Sequence, residues 1–396
     1  MSTTEVTSEE HAEGAPQRPW RDRKRYLWPL ATVMPAMPFL GAGLVSATGW
    51  AGWWWVGPMI LFVLLPALDL IFGATDDNPP ESERERLEAD RYYRWVTYLF
   101  LPVQYASLVF CCWVWATWDL PWHAGLGLAL TMGVVSGVAI NTAHELGHKR
   151  EDVERWLSKI ALATSAYGHF YVEHNRGHHV RVATPEDPAS SRLGEGFWTF
   201  LPRTVWGSLR SSWHLESKRR SKGRHTPLDH ELLVAWAMTV VLFVALTVAF
   251  GPVILPWLAL QAVVGFTLLE VVNYLEHYGL KRAKRDDGRY ERTDPRHSWN
   301  ADHTVSNLLL YQLQRHSDHH ANPLRRYQTL RHFEESPQLP SGYGSMIVVA
   351  LFPPLWRAMM DRKVLAHYDG DVTLANIHPR KRERYLSRYA AGTART

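Results

Sequence analysis

Residues 123–149 read HAGLGLALTMGVVSGVAINTAHELGHK. From His123 to Ala143 the run holds no Lys, Arg, Asp or Glu, and it closes on His-Glu-x-x-His before the first lysine. A helix that spans a bilayer needs about 20 apolar residues, so this stretch is long enough to cross one. His144 and His148, four residues apart, then share one helix face at the end of the span. His-Glu-x-x-His is also the zinc-peptidase pattern, in which the glutamate acts as general base. Whether it serves that chemistry here depends on what surrounds it.

Outward from this stretch, three segments lack Lys and Arg: between Arg25 and Arg84, between Arg94 and Lys149, and between Arg224 and Lys281. Each is rich in Leu, Val, Ala, Phe and Trp and has room for two spans and a short turn. The sequence therefore predicts an all-α membrane protein with six transmembrane helices in three hairpins, at about 27–47 and 51–72, 93–115 and 123–143, 231–250 and 256–276. The tips ATGWAG, TWDLPW and FGPVILP are turn chemistry. A length of 396 residues would suggest two or three soluble domains. The charge segregation argues instead for one membrane-embedded domain over 18–381, with polar, disordered ends at 1–17 and 382–396. A cytoplasmic cap of helices and loops is expected to carry the histidine-rich site.

Basic residues cluster before the first span (RPWRDRKRY), in the loop 149–230 and after the sixth span (KRAKR), so both termini and the large loops are expected on the cytoplasmic side. The 19 tryptophans, among them Trp53-Trp54-Trp55, suit the membrane interface. The two cysteines, Cys111 and Cys112, are adjacent within a span, which rules out a disulfide framework, a zinc ribbon and an iron–sulfur site. No short apolar segment with a small-residue cleavage site opens the chain, so no cleaved signal peptide is expected.

The 20 histidines are grouped. Beside His144 and His148 stand His174, His178 and His179 in EHNRGHHV, His277 in NYLEHYGL, and His316, His319 and His320 in LQRHSDHHA. All four groups lie at the cytoplasmic ends of spans or in the loops that follow. A lone histidine is ordinarily a surface or hydrogen-bonded core residue, which is the reading for His169, His297 and His303. Nine imidazoles in one place need a cation, and neutral imidazole suits Zn, Cu, Fe and Ni. Nine exceed the coordination of one ion and suit two. A peptidase zinc takes only one further ligand, and Asn322-Pro323-Leu324-Arg325 lacks the aspartate that an intramembrane metalloprotease would bring. Glu145, Glu173, Glu276 and Asp318 are sequence neighbours of the histidines and are expected to accept hydrogen bonds from the outer imidazole nitrogens. Glu270, two turns before His277 and inside a span, joins them as a buried ionisable residue.

These boxes resemble those of the membrane fatty-acid desaturase and hydroxylase superfamily. NTAHELGHK, EHNRGHH, NYLEHYGL and LQRHSDHHA in order are similar to the integral-membrane alkane 1-monooxygenases, over nearly the whole chain. The resemblance implies a non-haem diiron enzyme that uses O₂ to convert a medium- or long-chain n-alkane to the primary alcohol. It carries iron-ligand roles onto His144, His148, His174, His178, His179, His277, His316, His319 and His320. It also implies a bacterial cytoplasmic membrane, and a separate rubredoxin fed by a reductase as electron donor, since the chain has no nucleotide fingerprint and no four-cysteine site. Candidate docking charges are 218–224, 281–285 and Arg325-Arg326. Nothing in the sequence points to nucleic acid. The family sets chain length by side-chain bulk along its second helix, and the aligned position is Leu61, expected to border an apolar substrate tunnel. Two competing readings remain. One is a desaturase or alkyl-aromatic hydroxylase of the same superfamily. The other is a histidine-rich metal transporter, which would place its ligands at mid-membrane rather than at helix ends.

Overall fold

The structure, a computed structural model, describes residues 20–223, 226 and 229–390. Among these there is no strand, only isolated bridges such as Ala74 with His303. Along the chain come α1 (Trp28–Thr48), α2 (Ala51–Phe72), α3 (Arg91–Thr117) and α4 (Trp122–Gly147). The irregular segment that follows holds α5 (Asp152–Ala163), α6 (170–181) and α7 (Phe197–Arg220). Then come α8 (Glu231–Phe250) and α9 (Pro252–His277). The last part carries α10 (His316–Ala321), α11 (Tyr343–Ala350), α12 (Pro353–His367) and α13 (Arg382–Ala390). The six helices α1 to α4, α8 and α9 are long and apolar enough to cross a membrane, as a multi-pass membrane protein requires. They coincide with the expected spans to within a few residues.

Local chemistry sets their ends. Gly49 closes α1 in the left-handed region at φ 70°, where other residues are strained. The Asp90 carboxylate accepts the Tyr92 N–H at 2.9 Å and caps α3. The second span is less regular than expected. It opens as a 3₁₀ turn over Ala51–Trp55 and loosens to a π-turn over Ile60–Leu64. Beside its opening, the Thr131 hydroxyl of α4 donates to the Trp54 carbonyl at 2.6 Å and accepts the Gly57 N–H at 3.0 Å. A side chain inserted into a helix ladder displaces the i to i−4 bonds around it.

α4 and α9 pack closely, and small residues make this possible. A Cβ on Gly265 would lie 2.8 Å from Ser136 Cβ and 3.3 Å from the Gly137 nitrogen. A Cβ on Gly137 would lie 3.1 Å from the Gly265 carbonyl oxygen. Close backbone approach of this kind is how helices associate where no hydrophobic force separates helix from lipid. Polar groups reinforce it: Ser136 Oγ donates to Gln261 Oε1 at 2.6 Å, and Gln261 Nε2 donates to the Thr164 carbonyl at 2.8 Å.

Below the spans the loops are stitched by buried charge. Arg315 is 1% exposed and donates to the carbonyls of Leu330, Thr75 and Asp77 at 2.9 to 3.1 Å. Arg326 pairs with Glu154 at 2.8 Å and with Glu151 at 3.0 Å. Asp69, at the end of α2, accepts the Ser306 N–H at 2.9 Å and its hydroxyl at 2.5 Å. The C-terminal segment departs from expectation. The polarity of 382–396 predicts disorder, yet its first nine residues form α13. α13 is amphipathic: Tyr385 is buried and its hydroxyl donates to Asp361 at 2.6 Å. Residues 1–17 and 391–396 lie outside the described residues.

Replacing Gly265 by Val should wedge α4 from α9. Overpacking of this kind costs about 1–3 kcal/mol. Thermal unfolding of the detergent-solubilised protein should show a lowered Tm, and bound metal should fall with it because both helices end in histidines of the site.

Candidate metal centre

The four histidine groups meet at one place and sort into two sets. His144, His148, His174, His179 and His319 form one, and His178, His277, His316 and His320 the other. Within each set the ligand atoms lie within 4.8 Å of one another. α4 carries His144 in its last turn and His148 as the residue that caps it, and α9 ends with His277. Two short helical pieces supply the rest and knit the sets together. In α6 a π-turn spans His174–His178, and the neighbours His178 and His179 face different sets. In α10, His316 and His320 face one set and His319 the other. π-turns are uncommon and recur at functional sites because they re-aim side chains.

The nitrogens are crowded. His319 Nε2 stands 2.8 Å from His144 Nε2 and 3.0 Å from His179 Nε2, which is itself 3.0 Å from His174 Nε2. In the second set His316 Nε2 stands 2.9 Å from His320 Nε2 and 3.3 Å from His277 Nε2. A ring nitrogen offers either one proton or one lone pair. A nitrogen that faces two others therefore cannot satisfy both by hydrogen bonding. His148 Nε2 and His178 Nε2 are buried without any partner. Two nitrogens each about 2.1 Å from one ion, at right angles, would lie about 3.0 Å apart. The spacing fits lone pairs turned toward shared cations. Burial, with the neighbouring imidazoles adding to it, holds the pKa of His148, His174, His179, His316, His319 and His320 well below the ordinary imidazole range. These rings are neutral at physiological pH, which is the form that ligates. His169, His297 and His303 belong to neither set.

The carboxylates are placed differently from the expectation that they back the imidazoles. Glu145 accepts from Lys149 Nζ at 3.0 Å and from the Tyr327 N–H at 3.2 Å. Glu173 accepts from Arg181 at 2.6 Å. Glu270 accepts from the Tyr167 hydroxyl at 2.7 Å, the Thr204 hydroxyl at 2.8 Å and Asn273 at 3.2 Å. Asp318 accepts from Asn322 at 2.7 Å and from the Arg331 N–H at 2.9 Å. None of these four hydrogen-bonds a ring of the site: Glu145 and Asp318 hold backbone N–H groups, and Glu173 and Glu270 hold other side chains. The physical reason is geometric: a residue beside a histidine in a helix points about 100° away from it. Glu276 is the exception. Its Oε1 accepts the Tyr343 hydroxyl at 2.8 Å, and its Oε2 lies 3.1 Å from His316 Nε2, on the inner side of the ring.

The sequence reading missed Asp187. Its Oδ2 lies 2.9 Å from His178 Nδ1 and accepts the Ser190 hydroxyl at 2.6 Å, with both residues buried. Burial alone would raise the Asp187 carboxyl, but His178 and Ser190 hold it down to about 2. A partner on the outer nitrogen is what fixes the tautomer and aim of an imidazole that would hold a metal. The signal was an acid between two prolines in TPEDPASS, with no spacing to tie it to a box.

Leu61 lies in the π-turn of α2 and is 3% exposed, so it faces protein rather than lipid. Arg325 and Arg326 are buried in ion pairs with Glu81, Asp318, Glu151 and Glu154, so neither is a free surface charge. In 281–285, Arg282 is buried and donates to the carbonyls of Val180 and Glu291, and Arg285 pairs with Asp287. In 218–224, Arg219 pairs with Glu216, while Lys218 and Lys222 stay exposed. Arg224 lies outside the described residues.

Residues 120–350 match the fatty acid desaturase family. The chain is 47% identical over 370 residues to alkane 1-monooxygenase 1 of Alcanivorax borkumensis, covering 93% of this chain and 92% of that one. It is 46% identical over 376 residues to the alkane 1-monooxygenase of Acinetobacter baylyi, covering 93% and 91%. It is 45% identical over 370 residues to that of Pseudomonas putida, covering 93% and 92%.

Asp187→Ala should leave His178 free to turn. Loss of such an outer partner costs about 10- to 100-fold in metal affinity. Titration with a chelator should release metal from this variant at correspondingly lower chelator, while Glu173→Gln, which contacts no ring, should release it like the parent.

Proposed function

The chain belongs to the alkane 1-monooxygenases of the fatty acid desaturase family, and on that premise we propose that it hydroxylates the terminal carbon of medium- to long-chain n-alkanes with O₂. The proposal includes a diiron centre held by the nine histidines, five in one set and four in the other, with electrons drawn from a separate rubredoxin and its reductase. The observation that carries the reading is the convergence of nine imidazoles at the ends of α4 and α9.

The donor set argues for the metal. An unactivated methyl group offers nothing to an acid or a base, so a redox metal that activates O₂ must supply the chemistry when bound. Imidazole is a good ligand for iron. The protein's own residues do the rest. His144, His148 and His277 are carried on rigid spans, so their nitrogens are held before any ligand arrives. Asp187 and Ser190 orient His178. Tyr343 steadies Glu276, whose Oε2 lies 3.1 Å from His316 Nε2 at the inner side of the rings. The loop 325–327 is pinned beneath His144 by Glu145 and by Lys149, which donates to the Arg325 carbonyl at 2.8 Å.

An alkane reaches this site from the lipid, between spans. Leu61 then acts as a gate on chain length, buried in the π-turn where α2 packs against α11. There the Leu61 carbonyl oxygen would lie only 2.7 Å from a Cβ on Gly344. The basic loops lie on the side of the histidine-bearing helix ends, which supports a cytoplasmic site, cytoplasmic termini and a bacterial inner membrane.

Membranes holding the protein, supplied with reduced rubredoxin, its reductase, O₂ and octane or hexadecane, should yield the primary alcohol by gas chromatography. Metal analysis should find about two irons per chain. Stoichiometric zinc without iron, or no alcohol from any alkane, would sink the proposal. Leu61→Trp should shift the accepted alkanes to shorter chains. An unchanged product range would remove Leu61 from the gate.

A further inference from the structure

A cavity of about 380 Å³ lies between α12 and α13, away from the histidines. Ligand pockets run from about 300 to 1,000 Å³. Its walls are strongly basic: Arg357 and Arg362 from α12, and Lys381, Arg384 and Arg388 from the following turn and α13. The only acid in the lining is Asp361. Its two oxygens accept the Tyr278 hydroxyl at 2.7 Å and the Tyr385 hydroxyl at 2.6 Å, so phenols cover its charge. Lys381 Nζ donates to the Gly194 carbonyl at 2.6 Å. Among the described residues, Arg357, Arg362, Arg384 and Arg388 form no ion pair, unlike the buried arginines of the cap. Four guanidinium groups around one concavity, with its single carboxylate already engaged by two phenols, are a site for an anion with several acceptor oxygens.

The cavity's surroundings give the anion's source. Trp198, Trp206 and Trp213 on α7 are 55%, 66% and 50% exposed. Spacings of eight and seven residues put all three on one helix face. Trp213 stacks on Trp236 of the spanning helix α8, with ring centroids 6.2 Å apart. This is the arrangement of a helix lying at the membrane interface, where tryptophan concentrates. The start of α7 is tied to the cavity: Trp198 Nε1 donates to the Leu351 carbonyl at 2.9 Å, and a Cβ on Gly196 would sit 3.0 Å from Pro353 and 3.7 Å from the Arg357 guanidinium. Phe352 and Leu355, beside the cavity, are 59% and 50% exposed. Guanidinium groups beside exposed apolar side chains, at the start of a tryptophan-bearing helix face, match a phosphate that has acyl chains attached.

We propose that the cavity between α12 and α13 binds the phosphate of an anionic phospholipid headgroup. The phosphate oxygens take the guanidinium N–H groups of Arg357, Arg384 and Arg388, while the acyl chains run along Phe352, Leu355 and Trp198. Asp361 of the lining accepts from Tyr278, the residue after His277, so a lipid bound here is linked to the end of α9.

Full-length protein in detergent, mixed with phosphatidylglycerol or phosphatidylcholine and analysed by native mass spectrometry, tests this. The parent should retain phosphatidylglycerol in preference. Arg384→Gln with Arg388→Gln should lower that retention about tenfold or more, since each basic group near an anionic surface contributes appreciably. Lys222→Gln with Arg292→Gln, exposed residues outside the cavity, should leave it unchanged. Retention that survives millimolar inorganic phosphate supports a lipid source. Displacement by that phosphate, with the same sensitivity to the cavity variant, supports the phosphate site and makes its source soluble. Equal lipid retention by parent and cavity variant overturns the proposal. If that equality comes with a raised KM for a reduced acidic electron carrier, the patch is a protein-docking face instead.

Discussion

Lone pairs on crowded ring nitrogens are the constraint on which the rest of this molecule depends. Nine imidazoles pack with Nε2 atoms as close as 2.8 Å, and burial lowers the pKa of His148, His174, His179, His316, His319 and His320. Such an assembly is repulsive and unsatisfied unless positive charge sits among the nitrogens. Elements around it hold that geometry in place. Rigid spans present His144, His148 and His277. Short helices present the other six. Arginines and carboxylates tie down the backbone between them, as Arg315 and Glu145 illustrate.

Depth is the second requirement. His148 and His277 must end their helices at the same level, and that level is set by where α4 and α9 cross. The crossing is fixed by absent side chains, at Gly137 and Gly265, and by one polar tie from Ser136 to Gln261. In lipid such contacts replace the hydrophobic force that would hold two helices together in water. A packing detail in mid-membrane therefore governs the register of the ligands at its edge.

Much of this was legible in the sequence, for physical reasons. Lipid tolerates few charges, so the spans announce themselves as stretches without Lys or Arg. Imidazoles gathered at span ends are costly to bury together unless a cation joins them. The hydrogen-bonding carboxylates were not legible. Adjacency along a helix puts Glu145, Glu173 and Asp318 beside the ligands in sequence but on other faces in space. Asp187 reaches His178 from a loop whose path no periodicity encodes. Arg325 and Arg326 read as surface charge because their partners Glu81, Glu151 and Glu154 lie more than 150 residues away. Residues 382–390 look too polar for order, and they fold because Tyr385 finds a buried partner in Asp361.

The paired histidines of α6 have one more consequence. His178 and His179 are bonded neighbours that face different sets, and α10 repeats the arrangement with His319 and His320. Two peptide units, one in α6 and one in α10, thus each join both sets. A shift of the backbone that suits one set must drag on the other, with no flexible joint between them to absorb it. The two sets are thus joined mechanically as a single truss, through bonds of the main chain rather than through side-chain contacts alone.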